Sequence, residues 1–465
     1  MLRIFKQYYP IRNIFFVLAE GVFIYLSVLI ACRLILGDDL FFLSWFMVGK
    51  IFLITFVCQA CLYYNDLYDF KVTDSIRELS IRLVQALGAA AIILALVYFF
   101  LPRAIIGTGT FLISICIVIL LIVSWRFCYT LVLDRGIFNE KIVLIGSSDL
   151  ADEIQAEIND KKDCGYTLSA IVTGSDDAVG FAKSNTPAVI FQKNYENLCK
   201  LAESLGVKKI IIALKERRNA LPVNELLKCR IEGIEVIDGV TFFEMLTGKL
   251  IVQTINPGWL IFSEGFQKSR TRRFIKRTLD LILSFVLLLI FLPVILVIAI
   301  LIKIDSKGPV IFSQDREGEK KKTYRIHKFR SMVEDAENSS GPVWTQDDDA
   351  RVTRVGKIIR KFRLDELPQL WNVLKGEMSF VGPRPERPVF VEELEKIIPY
   401  FGVRSSVKPG ITGWAQICYG YADSVEDVIE KLNYDLFYIK NMSILMDLMI
   451  VLRTIKIVLF RKGAR

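Results

Sequence analysis

The 465-residue sequence has little histidine and no cysteine cluster. His327 is the single histidine, so the chain supplies neither a His-based catalytic triad nor a metal site with several histidine ligands. The nine cysteines are scattered, and the pair Cys58 and Cys61 lies inside an apolar run. We interpret them as reduced interior residues rather than a metal or redox site.

Acidic residues are also outnumbered by basic ones, with 50 Asp plus Glu against 59 Lys plus Arg. The basic surplus lies near apolar runs, which suits anionic lipid headgroups and phosphorylated substrates, and no nucleic-acid partner is expected. Hydrophobic residues make up 53% of the chain, and several apolar runs are long enough to cross a bilayer. The composition therefore predicts a membrane protein with about three folded units.

Four apolar segments come first, over residues 14–36, 40–63, 83–101 and 104–123, and each is near the ~20 residues that a spanning helix needs. Basic residues precede the first segment, separate the second from the third and follow the fourth. They are Arg3, Lys6 and Arg12; Lys71, Arg77 and Arg82; and Arg126, Arg135 and Lys141. Because the other two connections carry only Arg103, both ends of this block are expected on the cytoplasmic side.

Two ionisable residues, Glu20 and Lys50, lie within the predicted spans. At membrane depth such residues suggest a functional role by default. Pairing between helices, or snorkelling of the side chain to the interface, explains them equally well, and both interpretations stay open.

From residue 138 to residue 262, short β-branched runs alternate with amphipathic stretches. The runs KIVLIG, LSAIVTG, PAVIF, KKIIIAL and IEVID predict a small parallel α/β domain of the Rossmann-like type. Its first turn, from Gly146 to Ala151, matches the dinucleotide fingerprint only in part. Ser148 replaces the glycine that lets the backbone approach a pyrophosphate, and no clear acid ends the next strand. A structural or regulatory domain is therefore the alternative to a nucleotide-binding one.

A strongly basic stretch, residues 268–277, leads into a further apolar run over residues 279–302. Lys303 and Lys307 follow, so both flanks are basic, and Pro293 interrupts the helix. A helix that enters the membrane, bends at Pro293 and returns to the same face satisfies both facts. The alternative is a kinked spanning helix, which would place the rest of the chain outside the cell. We predict re-entry.

The polar C-terminal third contains four unusual clusters: HKFRSM at 327–332, DDDARVTRVGKIIRKFRLDELPQLWNVLKG at 347–376, SFVGPRP at 379–385 and KPGITGWAQ at 408–416. With the KRxxD motif of Lys276, Arg277 and Asp280, they resemble the catalytic domain of the bacterial sugar transferases. These are the polyprenyl-phosphate hexose-1-phosphate transferases that begin exopolysaccharide and O-antigen assembly. The resemblance covers about residues 276–465, and the whole layout is similar to the large members of that family.

The resemblance implies a membrane protein of the α plus α/β class. A four-helix transmembrane block would occupy residues 1–137, a Rossmann-like cytoplasmic domain residues 138–262, and a mainly helical monotopic catalytic domain residues 263–465, with its re-entrant helix at 279–302. The location would be the bacterial inner membrane, crossed several times, with the catalytic domain on the cytoplasmic face. A homodimer is compatible with the sequence.

The family resemblance implies transfer of a hexose-1-phosphate from a UDP-sugar to undecaprenyl phosphate, with release of UMP, at the start of polysaccharide repeat-unit assembly. The residues agree, since Asp365 and Glu366 precede Pro368, which is tolerated in a helix's first turn, and Gly376 suits its end. An ionised carboxylate at a helix start can attack phosphorus and form an acyl phosphate. That role matches the nucleophile of the family that the sequence resembles and falls on Asp365. Glu366 is suited to hold Mg²⁺. Simple helix capping is the alternative for the pair.

Candidate phosphate ligands surround these acids in the sequence: Arg330, Arg351, Arg354 and Arg384, the last framed by Pro383 and Pro385. Guanidinium groups grip phosphate oxygens with two parallel hydrogen bonds, although each arginine alone is more often a surface residue. Lys276 and Asp280 could pair across one helical turn and, with Arg277, contact a lipid phosphate or pin the re-entrant helix.

Two further features are expected at the membrane surface. Trp414, in a turn, favours the interface, with a plain loop anchor as the alternative. The tail from Tyr434 to Phe460 mixes apolar and charged residues and fits a helix lying on the membrane.

Two rival functions make different predictions. A membrane-anchored NAD-dependent nucleotide-sugar dehydratase or epimerase would need an intact glycine fingerprint followed by a Tyr-xxx-Lys pair, and residues 138–261 contain neither. A non-enzymatic scaffold or lipid-sugar translocator would not need an arginine-rich cluster around an acidic pair.

Overall fold

A computed structural model gives the fold of the chain. It describes residues 2–4, 7–9, 11–37, 45–68, 76–106, 109–134, 136, 139–161, 164–173, 188–191, 195, 197–214, 221–254, 265–266, 269–333, 351–420 and 424–460. Two compact units, residues 1–242 and residues 243–465, are treated separately below. Lys6, Lys71, Arg135, Lys268 and the predicted domain limits at 137–138 and 262–263 lie outside the described residues.

Four long helices open the first unit, after a short hairpin of β1 (Leu2–Ile4) and β2 (Gln7–Tyr9). They are α1 (Ile11–Leu36), α2 (Trp45–Tyr64), α3 (Ile76–Phe100) and α4 (Thr110–Asp134). Each contains an apolar stretch of 19 to 24 residues, long enough to span a membrane. Ile24, Ala86 and Leu94 pack in the core of the block, whereas many large apolar side chains face outward. The predicted apolar segments therefore lie largely in helices with a lipid-compatible surface. The fourth prediction was displaced: α4 covers Thr110–Asp134 instead of residues 104–123, so Arg126, expected after the segment, lies inside the helix.

A buried ion pair joins the first and fourth helices. Glu20 Oε1 lies 2.7 Å from Arg126 Nε, and neither side chain is more than 5% exposed. Lys50 Nζ donates to Ile105 O at 2.8 Å. For Glu20, the contact favours pairing between helices among the interpretations that the sequence leaves open.

A five-stranded parallel sheet follows in the same unit. Its strands are β3 (Glu140–Ile145), β4 (Tyr166–Thr173), β5 (Ala188–Phe191), β6 (Lys209–Ile212) and β7 (Glu235–Asp238), in the spatial order β5-β4-β3-β6-β7. The intervening helices are α5 (Asp149–Asp160), α6 (Leu198–Ser204) and α7 (Val223–Ile231), and α8 (Gly239–Thr247) follows β7. Val143, Val172 and Ile210 are fully buried, as expected for strands covered on both faces. The predicted parallel α/β region is confirmed.

The partial glycine fingerprint lies where the strand order reverses, between β3 and β6, the usual nucleotide position in such sheets. Gly146 has a φ of +110°, and a Cβ there would lie 2.6 Å from Ala213 O, so this turn requires glycine. Ser148 Oγ donates to Ala213 O at 2.7 Å and accepts from Ala151 N at 3.3 Å. Ser148 therefore caps α5 and ties it to the residue after β6, and its hydroxyl is engaged within the protein.

The second unit starts within α8, at residue 243, and its longest helix is α9 (Arg270–Asp305). A hairpin of β8 (Ile311–Glu317) and β9 (Thr323–Phe329) follows, then α10 (Arg354–Lys361) and α11 (Gln369–Lys375). Two short parallel strands, β10 (Ser379–Val381) and β11 (Gly410–Thr412), and four more helices complete the unit. The helices are α12 (Pro388–Ile397), α13 (Trp414–Cys418), α14 (Val425–Asn441) and α15 (Ile444–Phe460).

Both ends of α9 are attached to the rest of the second unit. Near the start, Arg277 Nη1 donates to Val373 O at 2.6 Å, and at the end, Asp305 Oδ2 accepts from Val355 N at 3.0 Å. Between these contacts apolar side chains such as Phe285 and Leu289, each 57% exposed, point away from the protein. The helix continues through Pro293 and is long enough to enter a membrane.

The end of the chain differs from the sequence prediction. The single surface helix expected from Tyr434 to Phe460 is instead two helices, because α14 ends at Asn441 and α15 begins at Ile444. Phe437 and Tyr438 of α14 are buried in a core that also contains Trp414. Trp414 is 3% exposed and its Nε1 donates to Gly248 O at 2.8 Å. The membrane-interface placement was therefore wrong for Trp414 and for the part of the tail in α14.

Candidate active site

A tight turn carries the two acids singled out from the sequence. The amphipathic helix α10 ends at Lys361, Arg363 adopts a left-handed conformation with a φ of +52°, and a 3₁₀ turn follows over Leu364–Glu366. Pro368 caps the start of α11, and Gly376, with a φ of +91°, ends it. Asp365 and Glu366 therefore stand just before a helix start, as the proline and glycine signals predict.

Glu366 is buried between two cations. Its Oε1 accepts a hydrogen bond from Lys328 Nζ of β9 at 3.2 Å and from Arg384 Nη2 at 3.0 Å. Burial alone would raise the pKa of Glu366, but the charges of Lys328 and Arg384 outweigh it and hold the pKa below the usual range. Glu366 is therefore ionised throughout the physiological pH range.

Asp365 shares the turn, but the cations around it do not outweigh its burial and the charge of Glu366. Burial, followed by the charge of Glu366, raises the pKa of Asp365 to about 6, although Lys328 and Arg384 act in the opposite direction. At pH 7 most of this carboxylate is ionised, and it is more basic than an ordinary aspartate. Such a group can act as a nucleophile or a base near neutral pH.

Arg384 is held over the acids by a second layer of contacts. It lies in the loop after β10, between Pro383 and Pro385, and Pro383 O accepts from Gly410 N at 2.9 Å. Arg404 Nη2 donates to Arg384 O at 2.8 Å, and Arg404 Nε donates to the buried Asp435 at 2.9 Å. With its side chain 41% exposed, Arg384 can reach both Glu366 and a ligand outside.

We call Lys328, Asp365, Glu366 and Arg384 the acid–cation cluster. Residues 271–461, which contain the whole cluster, match the family described as "Bacterial sugar transferase". The chain is 41% identical over 189 residues, 39% of its length, to the "Exopolysaccharide production protein PSS" of Rhizobium leguminosarum bv. phaseoli, and the match covers 93% of that protein. The chain belongs to the bacterial sugar transferase family.

Other members of the family are similar over a smaller share of their length. The chain is 43% identical over 240 residues, 52% of its length, to the UDP-N-acetylgalactosamine-undecaprenyl-phosphate N-acetylgalactosaminephosphotransferase of Aeromonas hydrophila. It is 42% identical over 194 residues, 41% of its length, to the undecaprenyl-phosphate glucose phosphotransferase of Komagataeibacter xylinus. The chain spans 56% of the first relative and 36% of the second. Separately, residues 63–228 match a family described as "CoA-binding domain".

The KRxxD residues of the family motif hold α9 in place. The sequence suggested that Lys276 pairs with Asp280, but Lys276 has other partners. Its Nζ lies 2.7 Å from Asp447 Oδ2 and donates to Val381 O at 3.0 Å. Asp280 accepts from Ser379 Oγ at 2.8 Å and Phe380 N at 3.0 Å. The predicted Lys276–Asp280 pair is wrong because Lys276 forms its ion pair with Asp447 of α15 instead. Of the two roles left open by the sequence, these bonds favour the structural pin.

The remaining predicted arginines are Arg330, Arg351 and Arg354, which are not members of the acid–cation cluster. Arg330 is buried, and its Nη atoms donate to Lys307 O at 2.7 Å and Ser306 O at 2.8 Å, which fixes the chain after α9. Arg354 is the exposed first residue of α10, and Arg351 lies half-buried three residues earlier, where its carbonyl accepts from Val333 N at 2.9 Å. Contact of these three with substrate stays a prediction.

The donor chemistry of Asp365 and Glu366 suits Mg²⁺. Among the described residues no group of three or more His, Cys, Asp or Glu side chains could hold a metal by itself. Mg²⁺ in phosphoryl-transfer sites, however, takes only one or two carboxylates and completes its shell with phosphates and water. The charge of Glu366 disfavours ionised Asp365, and a divalent cation would relieve that repulsion. The pair therefore fits the metal predicted for Glu366.

Proposed function

We propose that the protein transfers a hexose-1-phosphate from a UDP-sugar to undecaprenyl phosphate and releases UMP. The observation that carries the proposal is the acid–cation cluster, in which an aspartate with a raised pKa lies beside a glutamate with a lowered pKa and two cations. The printed names of the Aeromonas and Komagataeibacter relatives, both undecaprenyl-phosphate sugar phosphotransferases, support the choice of substrates.

In the proposed first step, ionised Asp365 attacks the phosphorus that carries the sugar. A bond forms between the carboxylate oxygen and phosphorus, and the bond from phosphorus to the bridging oxygen of UMP breaks, so UMP leaves with that electron pair. In the second step, an oxygen of undecaprenyl phosphate attacks the same phosphorus and the bond to Asp365 breaks. The aspartate is regenerated, and the product is a lipid diphosphate sugar.

The cations of the cluster have a different task in this mechanism. Arg384 reaches the surface, so its guanidinium can donate to phosphate oxygens while it remains near Glu366. Lys328 keeps Glu366 ionised and lowers the pKa of Asp365, which preserves the nucleophilic form. Glu366 would hold Mg²⁺, and the bound ion would supply neutralisation of the diphosphate charge.

We propose further that α9 is a re-entrant helix, with the acid–cation cluster on the cytoplasmic face of the bacterial inner membrane. Arg277 and Asp305, at opposite ends of α9, both bond to the compact unit that contains the cluster. A straight spanning helix would carry its two ends to opposite sides of the membrane. Exposed apolar side chains between those contacts, and the basic residues at both flanks, support a helix that enters and returns.

Replacement of the proposed nucleophile tests the proposed function. Asp365→Asn should reduce UMP release from UDP-sugar by at least ~10³-fold, since an amide cannot attack phosphorus. Because the substitution removes a carboxylate whose pKa is raised by burial, the variant should unfold at the same temperature as the wild type or a higher one. Normal UMP release from a folded Asp365→Asn protein would exclude the mechanism.

A further inference from the structure

A cavity lies beside the start of α9, in the unit that contains the acid–cation cluster. It has a volume of about 700 Å³, which suits a nucleotide or the head of a lipid, and no residue of the acid–cation cluster lines it. Phe266, Val407 and Met442 form apolar parts of its wall. Basic side chains outnumber acidic ones around it: Arg273, Lys276, Arg277, Lys320 and Lys408 against Asp280 and Glu319.

Several of these charges are already matched by protein groups. Lys276 is paired with Asp447, and Arg277 donates to Val373 O at 2.6 Å and Leu374 O at 2.9 Å, at the carbonyl end of α11. Asp280 accepts from β10. These residues therefore build the frame of the cavity.

Lys408 differs from the framing residues. Its side chain is half-buried, yet its ammonium group makes no hydrogen bond or ion pair with any residue that the structure describes. Arg277 and Lys408 bring their charged groups close to one point beside Gly376. The position that a Cβ on Gly376 would occupy lies 3.3 Å from Arg277 Nη2 and 3.6 Å from Lys408 Nζ. Burial and the charge of Arg277 lower the pKa of Lys408, against the weaker opposing effects of Glu319 and Asp280. An anion in the cavity would satisfy this lysine.

We propose that this cavity is a second anion site, which binds the phosphate of a phosphate ester through Lys408 while the apolar wall receives the organic part. The charge of Arg277 adds to the attraction without a change in its own hydrogen bonds. The ligand could be a lipid with a phosphate headgroup or a free nucleotide, since both present the same group. The proposal concerns binding and does not require Asp365 to be a nucleophile.

Lysine footprinting of the full-length protein in neutral nanodiscs separates the two sources. Acetylation of Lys408, followed by mass spectrometry, is measured alone, with UMP, and with nanodiscs that contain phosphatidic acid. Protection by the lipid assigns a headgroup site, and protection by UMP assigns a nucleotide site. If neither probe protects Lys408, the proposal is overturned. Because the Asp365→Asn protein should give the same protection as the wild type, failure of the proposed chemistry would not be mistaken for failure of this site.

Two variants exclude a purely structural role for Lys408. Lys408→Gln should weaken binding of the protecting probe by about tenfold or more, measured from the ligand-induced rise in unfolding temperature. Lys396→Gln, at an exposed position on α12, should bind like the wild type. Without ligand, Lys408→Gln should unfold no earlier than the wild type, because it removes a half-buried charge beside Arg277. Unchanged binding, or a lower unfolding temperature without ligand, would contradict the assignment.

Discussion

Asp365 and Glu366 are adjacent in the chain, and their surroundings give them different acid strengths. Glu366 Oε1 receives both Lys328 and Arg384, so its pKa is lowered, whereas burial and the charge of Glu366 raise the pKa of Asp365 to about 6. Two carboxylates whose pKa values are driven apart can take different roles in one reaction. This separation supports the division into a nucleophile and a metal ligand.

The raised pKa of Asp365 leads to a prediction about pH. The nucleophile must be ionised, so UMP release should fall as the pH drops through about 6. Glu366→Gln removes the neighbouring negative charge, so the pKa of Asp365 should fall and the acid limb of the profile should move to lower pH. The maximal rate should also fall, by ~10²-fold or more, because a charged group beside the reacting phosphate is lost.

The measurement for this prediction is the pH profile of UMP release at saturating UDP-sugar. Glu393→Gln, at an exposed position on α12, is the matched control and should leave the profile unchanged. If the acid limb of Glu366→Gln stays at the wild-type position, the assignment of that limb to Asp365 is wrong.

Sequence reasoning could find the acids but not the groups that tune them. Pro368 and Gly376 mark the helix beside Asp365 and Glu366, and these are local signals. Lys328 reaches Glu366 from 38 residues away, and Arg404 holds the loop of Arg384 from 20 residues away. Lys328 is part of the HKFRSM cluster, but no local pattern there indicates a contact with an acid so distant in the chain.

At the scale of elements, α9 determines which side of the membrane holds the acid–cation cluster. The helix has 36 residues, so it would be ~54 Å long if straight, longer than the ~30 Å of hydrocarbon that a perpendicular span must cross. Its two attached ends and exposed middle are the features that a re-entrant helix needs. Pro293 removes one backbone donor midway and is the natural place for a bend.

The topology of α9 can be tested with single cysteines in a cysteine-free background. Lys307→Cys, just after the helix, should react with a membrane-impermeant maleimide only from the cytoplasmic side. Arg272→Cys, just after its start, should do the same, and Arg103→Cys, between α3 and α4, should react from the opposite side. Labelling of Lys307→Cys from the side that labels Arg103→Cys would exclude re-entry.

The strands of the α/β region could be predicted because their hydrophobic pattern matches their burial. The strands of the α/β region are continuous β-branched runs because both faces of a parallel sheet are covered. The same reasoning failed for α14, because its buried face contains Asn433, Asp435 and Lys440 as well as apolar residues. Those polar groups are buried through distant partners, such as Arg404 for Asp435 and Glu244 for Lys440. The charged residues of α14 therefore suggested an exposed surface helix, whereas the fold buries them.

For the whole molecule, the second compact unit starts at residue 243, while the start of the catalytic domain at residue 263 stays a prediction outside the described residues. Residues 243–254 belong to the second unit. Leu250 N donates to Asn433 O at 3.1 Å, and Glu244 lies 2.6 Å from Lys440 Nζ and 2.8 Å from Asn441 Nδ2. Together with the bond from Trp414 to Gly248, these contacts satisfy polar groups that would otherwise be buried without partners.

Two fragments of the chain test this boundary. A fragment of residues 243–465 should retain UMP release, whereas a fragment of residues 263–465 should be less stable by several kcal/mol, roughly 3–5 for loss of the partner of buried Lys440 alone. Chemical unfolding of both fragments in the same detergent measures the difference. Glu244→Gln in the longer fragment is the control for that ion pair and should give part of the loss. Equal stability of the two fragments would show that residues 243–254 are dispensable.

The central claim is that Asp365 forms a covalent bond to the sugar phosphate. Intact-mass measurement of the full-length protein, incubated with UDP-sugar in the absence of undecaprenyl phosphate, tests it most directly. We expect one added hexose-phosphate per chain, located on the peptide that contains Asp365, lost on addition of undecaprenyl phosphate and absent from Asp365→Asn. An unmodified protein that releases UMP only when both substrates are present would contradict the covalent mechanism, because it would indicate direct transfer between substrates.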